Sequence, residues 1–276
     1  MYMRFKNGKS KALTLSYDDG VVQDIRLIDI MTKYGLKGTF NIDGGLFLPE
    51  DAEREKYYGR MKLSEAKALY QPSGQEVALH GFKHQHLTKL APAQAVYEVF
   101  HDREVLEREF GSFVRGMAYA YGAFNDDVVK ILENCGVAYC RTTISTYNFE
   151  LPKNWLTLNP TCHHRDEKLF ELAEQFVNEK PGFGRSWLFY VWGHSYEFDN
   201  DNNWDRMEKF AQITGGKDDV WYATNMEIYD YVNAYNSLIF SVDGNTVYNP
   251  TLIDVWAYSD GETICIKSGQ TYIKEN

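Results

Sequence analysis

Along most of the chain, short runs of apolar or β-branched residues alternate with longer stretches in which apolar residues recur every three or four positions. The first run, 13–17, alternates so that Leu13, Leu15 and Tyr17 share one face of a strand, and it stops at Asp18, Asp19 and Gly20. Ile25, Ile28 and Met31 then follow at helical spacing, with Gly35 as the stop. The same reading predicts strands at 38–42, 76–80, 113–119, 137–141, 187–192 and 220–222. The unbroken apolar run 187–192 is what a strand buried on both faces requires, and it ends at Gly193 and His194. Helices are predicted at 64–70, at 92–111 with Pro92 in the first turn, after an Asn125 cap to Cys135, from an Asp166 cap to position 180, at 204–214 and at 226–235. Residues 143–162 read as a long loop with a weak strand. Seven or eight strand–helix units in succession predict an α/β fold, an irregular (β/α)7-8 barrel spanning 1–235. From 236 to 276 the segments shorten around turn signals at Asp243-Gly244-Asn245, Asn249-Pro250, Asp260-Gly261 and Ser268-Gly269, which predicts a small all-β C-terminal extension.

Composition narrows the partners more than it changes the fold. A formal net charge of -10 with no local Lys/Arg cluster argues against a nucleic-acid surface and favours a neutral or weakly charged substrate. The 6 Trp, 20 Tyr and 16 Phe suit sugar-stacking platforms as well as ordinary core packing. Cys135, Cys140, Cys162 and Cys265 form no metal or disulfide pattern, so reduced structural thiols are expected. No run reaches the roughly 18 apolar residues of a membrane span, and the short run after Arg4, Lys6, Lys9 and Lys11 reads as a core strand rather than a leader. The chain as written therefore predicts a cytoplasmic protein, or a secreted one if a leader was removed. Oligomeric state is left open.

The ionisable residues are placed suggestively in this layout. Asp18, Asp19, His80 and His194 all fall at the carboxyl ends of predicted strands, where barrels of this kind assemble their sites. His84 lies four residues beyond His80, a spacing that would set both rings on one side of a helical turn. Two imidazoles and one carboxylate suit a divalent ion such as zinc and leave room for water and a substrate oxygen. Such an ion lowers the pKa of its water to about 7, and a free carboxylate beside it could take the proton.

Four segments, Ser16-Tyr17-Asp18-Asp19-Gly20, His80-Gly81-Phe82-Lys83-His84, Ala118-Tyr119-Ala120-Tyr121-Gly122 and the strand ending at His194, resemble the metal-dependent polysaccharide deacetylases, also called carbohydrate esterase family four. The resemblance implies that Asp18 is the general base, that Asp19, His80 and His84 bind the metal, and that His194 is the general acid. It also implies that the backbone N–H of Tyr121 helps hold the oxyanion. The metal would be zinc, with cobalt, nickel or manganese as alternatives, and the substrate an N- or O-acetylated carbohydrate.

This chain departs from the family pattern in three places. Gly81 stands where a Ser or Thr would brace the metal loop. Ala118 stands where an arginine would orient the base, leaving Arg115, or Arg141 at the end of the next strand, as replacements. Asn154-Trp155 stands where an aspartate would tune the acid, leaving Asp166, Glu197 or Asp199 to orient His194. His163 and His164 read as site residues or as polar loop residues, and His86 and His101 as structural or solvated. Two other functions share these residues. One is a metal-dependent amidohydrolase acting on a non-sugar amide or imide, and the other is a catalytically silent sugar-binding homologue.

Overall fold

The structure, a computed structural model, describes residues 1–53 and 59–274. Its elements in chain order are β1 (Tyr2–Arg4), β2 (Lys11–Asp18), α1 (Asp24–Lys33), β3 (Gly38–Ile42), α2 (Leu63–Ser73), β4 (Glu76–Leu79) and α3 (Pro92–Phe110). There follow β5 (Gly116–Ala118), α4 (Asp126–Asn134), β6 (Tyr139–Arg141), β7 (Cys162–His163), α5 (Leu169–Asn178) and β8 (Trp187–Gly193). The chain continues through α6 (Tyr196–Asn200), α7 (Trp204–Thr214), β9 (Val220–Tyr222) and α8 (Asn225–Asn236). The last strands are β10 (Ile239–Phe240), β11 (Thr246–Tyr248), β12 (Val255–Ser259), β13 (Glu262–Ile266) and β14 (Thr271–Ile273).

Parallel strands in the order β6-β5-β4-β3-β2-β8-β7 make a curled sheet, so the barrel expected from the sequence is present in an irregular, incomplete form. Its irregularity centres on β2, which is buried along all eight residues. One side of β2 pairs with β8 from Lys11 to Tyr17. The other side is shared, Lys11 to Leu13 pairing with β9 and Leu15 to Asp18 with β3. The seam between β6 and β8 falls in the segment read as a weak strand. Leu158 makes an isolated parallel bridge to Arg141, and the chain then reaches β7, where Cys162 and His163 pair with Val191 and Trp192.

The alternation in β2 sorts the two faces of the sheet. Leu13, Leu15 and Tyr17 pack outward in one core with Leu27, Met31 and Phe210 of the surrounding helices. Thr14, Ser16 and Asp18, on the other parity, line the interior, where Thr14 Oγ1 donates to Asn225 Oδ1 at 3.0 Å and Asn41 Nδ2 donates to Ser16 Oγ at 2.9 Å. A polar interior is stable here because the hydroxyls of Thr14 and Ser16 and the Asn41 Nδ2 all find partners. Asp18 is thus the last residue of an inward-facing polar column, held at the mouth by a fully paired strand.

The C-terminal strands form two small antiparallel sheets, β1-β12-β13 and β10-β11-β14. The N-terminal strand β1 belongs to the first of these, Met3 pairing with Ala257, so residues 2–4 share a sheet with the extension and not with the barrel. No helix among the described residues is long and apolar enough to cross a membrane.

Candidate metal centre and active site

Where β2 ends, the backbone turns sharply. Asp19 has φ +85° and Gly20 φ +63°, left-handed conformations that a carboxylate-bearing residue adopts only when its surroundings enforce them. Pairing of the Asp19 N–H with the Asn41 carbonyl at 3.0 Å supplies that enforcement. The turn leaves Asp18 in the interior and swings Asp19 toward the loop after β4.

In that loop His80, Gly81, Phe82, Lys83 and His84 do not form the helical turn their spacing suggested. Gly81 has φ +92° and His84 φ +52°, and the loop folds back so that the two rings meet. Their Nε2 atoms are 3.2 Å apart, and His84 Nε2 lies 3.6 Å from Asp19 Oδ1. Donors bonded at about 2.0–2.1 Å to one tetrahedral ion stand roughly 3.3 Å from one another, so the trio Asp19, His80 and His84 fits a divalent cation. The protonation states fit as well. His80 Nδ1 donates to the Ala118 carbonyl at 2.9 Å, which leaves its Nε2 lone pair facing the trio. Burial lowers the pKa of both rings, that of His84 to about 4, its neighbour His80 adding to the effect.

Asp18 lies against this trio, its Oδ2 3.8 Å from His80 Nε2 and 3.9 Å from His194 Nε2. Burial alone would raise its pKa, but the Arg141 guanidinium, helped by His80 and His194, holds it at about 2. Arg141 is itself fully enclosed. Its Nη2 donates to Asp18 Oδ2, its Nε to Ser16 Oγ at 3.2 Å and its Nη1 to the Thr142 carbonyl at 3.2 Å, while its plane lies 4.3 Å from the Trp192 ring centre. Asn41 Nδ2 donates to the other oxygen of Asp18 at 2.8 Å.

The expectation for Arg115 is corrected by its position. Arg115 precedes β5 and lies on the surface at that strand's amino end, where its Nε donates to the Gly136 carbonyl at 3.2 Å. Arg141, at the carboxyl end of β6, takes the place beside Asp18. The reason is topological, since only carboxyl ends reach the cluster.

His194 closes β8, with Nε2 3.9 Å from Asp18 Oδ2 and from Asp19 Oδ2. Of the three acids considered as its partner, Glu197 is the one beside it. Glu197 Oε2 accepts the His194 backbone N–H at 3.2 Å and lies 3.5 Å from its Nδ1. Asp166 instead accepts from the Tyr147 hydroxyl, and Asp199 from Gln23 and Trp204. His163 and His164 join the same carboxylate, their Nε2 atoms 3.2 and 3.1 Å from Glu197 Oε2, and Arg165 Nη1 donates to Oε1 at 2.8 Å. This second group has donor spacing compatible with an ion. The Arg165 backbone N–H, however, donates to His163 Nδ1 at 3.1 Å, which places the proton of a neutral His163 on Nε2, facing Glu197 as a hydrogen-bond donor and not as a ligand. Burial would raise Glu197, but the imidazoles of His163, His164 and His194 gathered around it hold it well below the usual carboxylate range. For His194 burial acts to lower the pKa, and Glu197, followed by Asp18 and Asp19, reverses this and leaves it raised.

Tyr121 stands at the rim in a left-handed turn with φ +58°, its side chain exposed, its ring stacked on His86 at 3.9 Å and set edgewise to His84 at 4.5 Å. Its N–H donates to no acceptor among the described residues. His101 is paired with Glu104 at 2.9 Å and packs on Phe82, with ring centres 4.4 Å apart, outside the trio. Sequence reasoning missed Arg60 and Asp43. Arg60 Nη2 donates to Asp19 Oδ1 at 3.0 Å while its Nη1 bonds the Asp19 carbonyl and buried Asp43. Asp43 follows β3 directly and could have been found by the strand-end rule that found Asp18. Arg60 lies in a loop without pattern and carried no signal.

Residues 5–140 match the family model described as polysaccharide deacetylase. No curated protein matches. Among solved structures, a Mycobacterium smegmatis protein assigned as a polysaccharide deacetylase is 16% identical, with 85% of this chain and 94% of that one covered and a TM-score of 0.58. A family 4 carbohydrate esterase from Streptomyces lividans, solved with acetate, is 15% identical over 78% of this chain and 93% of that one, with a TM-score of 0.50. The Streptococcus pyogenes deacetylase PplD, also solved with acetate, is 22% identical with a TM-score of 0.45. That match takes in 52% of this chain and 61% of PplD, less than two thirds of its length. Residues 5–140 are thus similar to the polysaccharide deacetylase family, and the curled parallel sheet is the fold that the chain shares with the Mycobacterium smegmatis structure.

Proposed function

We propose that this protein is a divalent-metal-dependent hydrolase that removes acetyl groups from N- or O-acetylated carbohydrate. The observation that carries the reading is the convergence of two neutral imidazole nitrogens and the Asp19 carboxylate beside Asp18, an acid kept ionised in the interior by Arg141. An ion held by Asp19, His80 and His84, zinc by the chemistry of its donors, would polarise the acetyl carbonyl and acidify water. Asp18 accepts the proton of the attacking water, and Asn41 and Arg141 fix the carboxylate for that transfer. The Tyr121 N–H donates to the oxygen that becomes negative at the tetrahedral stage. His194, its ring set by Glu197, returns a proton to the departing nitrogen or oxygen. The exposed Tyr121 ring offers a sugar an aromatic face at the mouth.

A screen of acetylated mono- and oligosaccharides tests this directly. Protein loaded with zinc, cobalt, nickel or manganese is expected to release acetate, and chelator-treated protein is not. Release only from non-sugar amides or imides would move the reading to a metal-dependent amidohydrolase. Sugar binding without acetate release under every metal would make the protein a silent homologue.

Glu197→Gln provides a pH test of the acid. Loss of the carboxylate removes the interaction that keeps the His194 pKa raised, so the ring loses its proton at lower pH. Turnover that needs protonated His194 falls as pH rises, and this alkaline limb is expected to move to lower pH in the variant. Rate profiles with an unmoved alkaline limb would remove Glu197 from the tuning role.

A further inference from the structure

Residues 80–84 carry two left-handed positions, Gly81 and His84, in a loop whose shape sets the distance between two candidate ligands. Four consecutive amides of this loop are received by one helix. The N–H groups of His80 and Gly81 donate to Asp102 Oδ2 at 3.2 and 3.0 Å, that of Phe82 to the Glu98 carbonyl at 3.1 Å, and that of Lys83 to Glu98 Oε2 at 2.8 Å. Asp102 Oδ1 accepts a further N–H, from Gly44 in the loop after β3, at 2.6 Å. Asp102 is fully buried, Glu98 nearly so, and the two stand one turn apart on α3, which puts both on the face toward the loop.

We propose that Asp102 and Glu98 are positioning residues that hold the loop in its ligand-presenting shape, a proposal that rests on the metal reading given above. The Ile42 carbonyl at the end of β3 shares the His80 N–H at 3.1 Å, but the three amides that follow in this loop have no strand to supply their acceptors. Carboxylates answer the need because they only accept, with several lone-pair directions for diverging donors. Asp102 collects three N–H groups from two loops and so fixes the loop after β4 against the loop after β3, where the Gly45 N–H meets the Phe82 carbonyl at 2.9 Å. With Gly81 lacking a side-chain hydroxyl, the brace comes from the helix beneath.

The two residues differ in what an amide would do. Asp102→Asn turns an NH2 group toward at least one N–H donor, whichever way the side chain is rotated. Glu98→Gln can present its single carbonyl oxygen to Lys83. Zinc and cobalt affinities, measured by chelator competition, are expected to fall 10–100-fold in Asp102→Asn and to stay within about 3-fold of the parent in Glu98→Gln. The visible spectrum of the cobalt form should change in the first variant and not in the second. Parent-like affinity and spectrum in Asp102→Asn would overturn the proposal. Should that variant fail to fold, amide exchange in the parent decides: slow exchange at Gly81 and Lys83 without metal supports the brace, and exchange as fast as in exposed turns rejects it. A parent protein that binds no divalent ion would sink the metal reading, and the exchange measurement would still judge the brace.

Discussion

Arg141→Met is expected to reduce acetate release at least 1,000-fold and to cost about 3–5 kcal/mol of stability, the range found when one partner of a buried ion pair is removed. Arg115→Ala is the control and should change neither. Arg141 is 1% exposed and meets Asp18, Ser16, the Thr142 carbonyl and the Trp192 face at once, so its loss leaves the Asp18 carboxylate buried with Asn41 as its remaining side-chain donor. The pH dependence follows from the shift of Asp18. Its folded pKa of about 2 lies below the ordinary 3.8, so the parent's stability from this group is present above the ordinary value and is lost as pH falls toward 2. That difference corresponds to roughly 2 kcal/mol. In the variant burial acts unopposed by the guanidinium and raises the pKa, so protonation on acidification relieves a buried charge. Urea midpoints measured between pH 8 and pH 3 should therefore fall in the parent while the gap between parent and variant narrows. A variant that matches the parent in midpoint and turnover would remove Arg141 from its assigned place.

How far the sequence reached can be followed residue by residue. The strand and helix rhythms located the βα units, because burial on a curled sheet imposes period 2 on strands and 3.6 on helices, and β9 and α7 fall on the expected residues. The weak strand near 160 was faint because the seam is a single bridge at Leu158 followed by the two-residue β7. Asp18, Asp19, His80 and His194 were visible because each ends a strand. Arg115 was a candidate for its closeness in sequence to Ala118, and Arg141 for its place at the end of the next strand; the strand-end rule that found the other residues selects Arg141. The His80 and His84 spacing correctly joined the two rings for the wrong reason, since left-handed backbone at Gly81 and His84 replaces the helical turn. On α3, Glu98 and Asp102 interrupt a buried stripe that includes Ala95, Val99, Val105 and Leu106. Acids at core-facing positions of a helix were a signal of a buried polar task that periodicity alone passed over. The pairing of Arg60 with Asp43 depends on contact between loops and left no local trace.

Asp18→Asn isolates proton transfer from metal binding, and turnover is expected to fall by about 100- to 10,000-fold, the contribution of a positioned general base. The side chain keeps its size, and Asp18 lies outside the trio of Asp19, His80 and His84, so zinc should still bind and the cobalt spectrum should retain its form. Stability should fall as well. Asp18 accepts from Asn41 on one oxygen and from Arg141 on the other, and an amide can satisfy only one of these donors while its NH2 opposes the second. The unpaired group costs about 1–3 kcal/mol, more if it is the guanidinium that loses its partner. Low turnover alone would therefore be ambiguous, and metal titration and urea unfolding must accompany it. Lost turnover with bound metal and a folded chain identifies Asp18 as the base. Undiminished acetate release would end that assignment and pass the role to another acceptor near the trio. Lost metal together with lost turnover would instead place Asp18 among the ligands, with the division of labour between the two adjacent carboxylates reversed or shared.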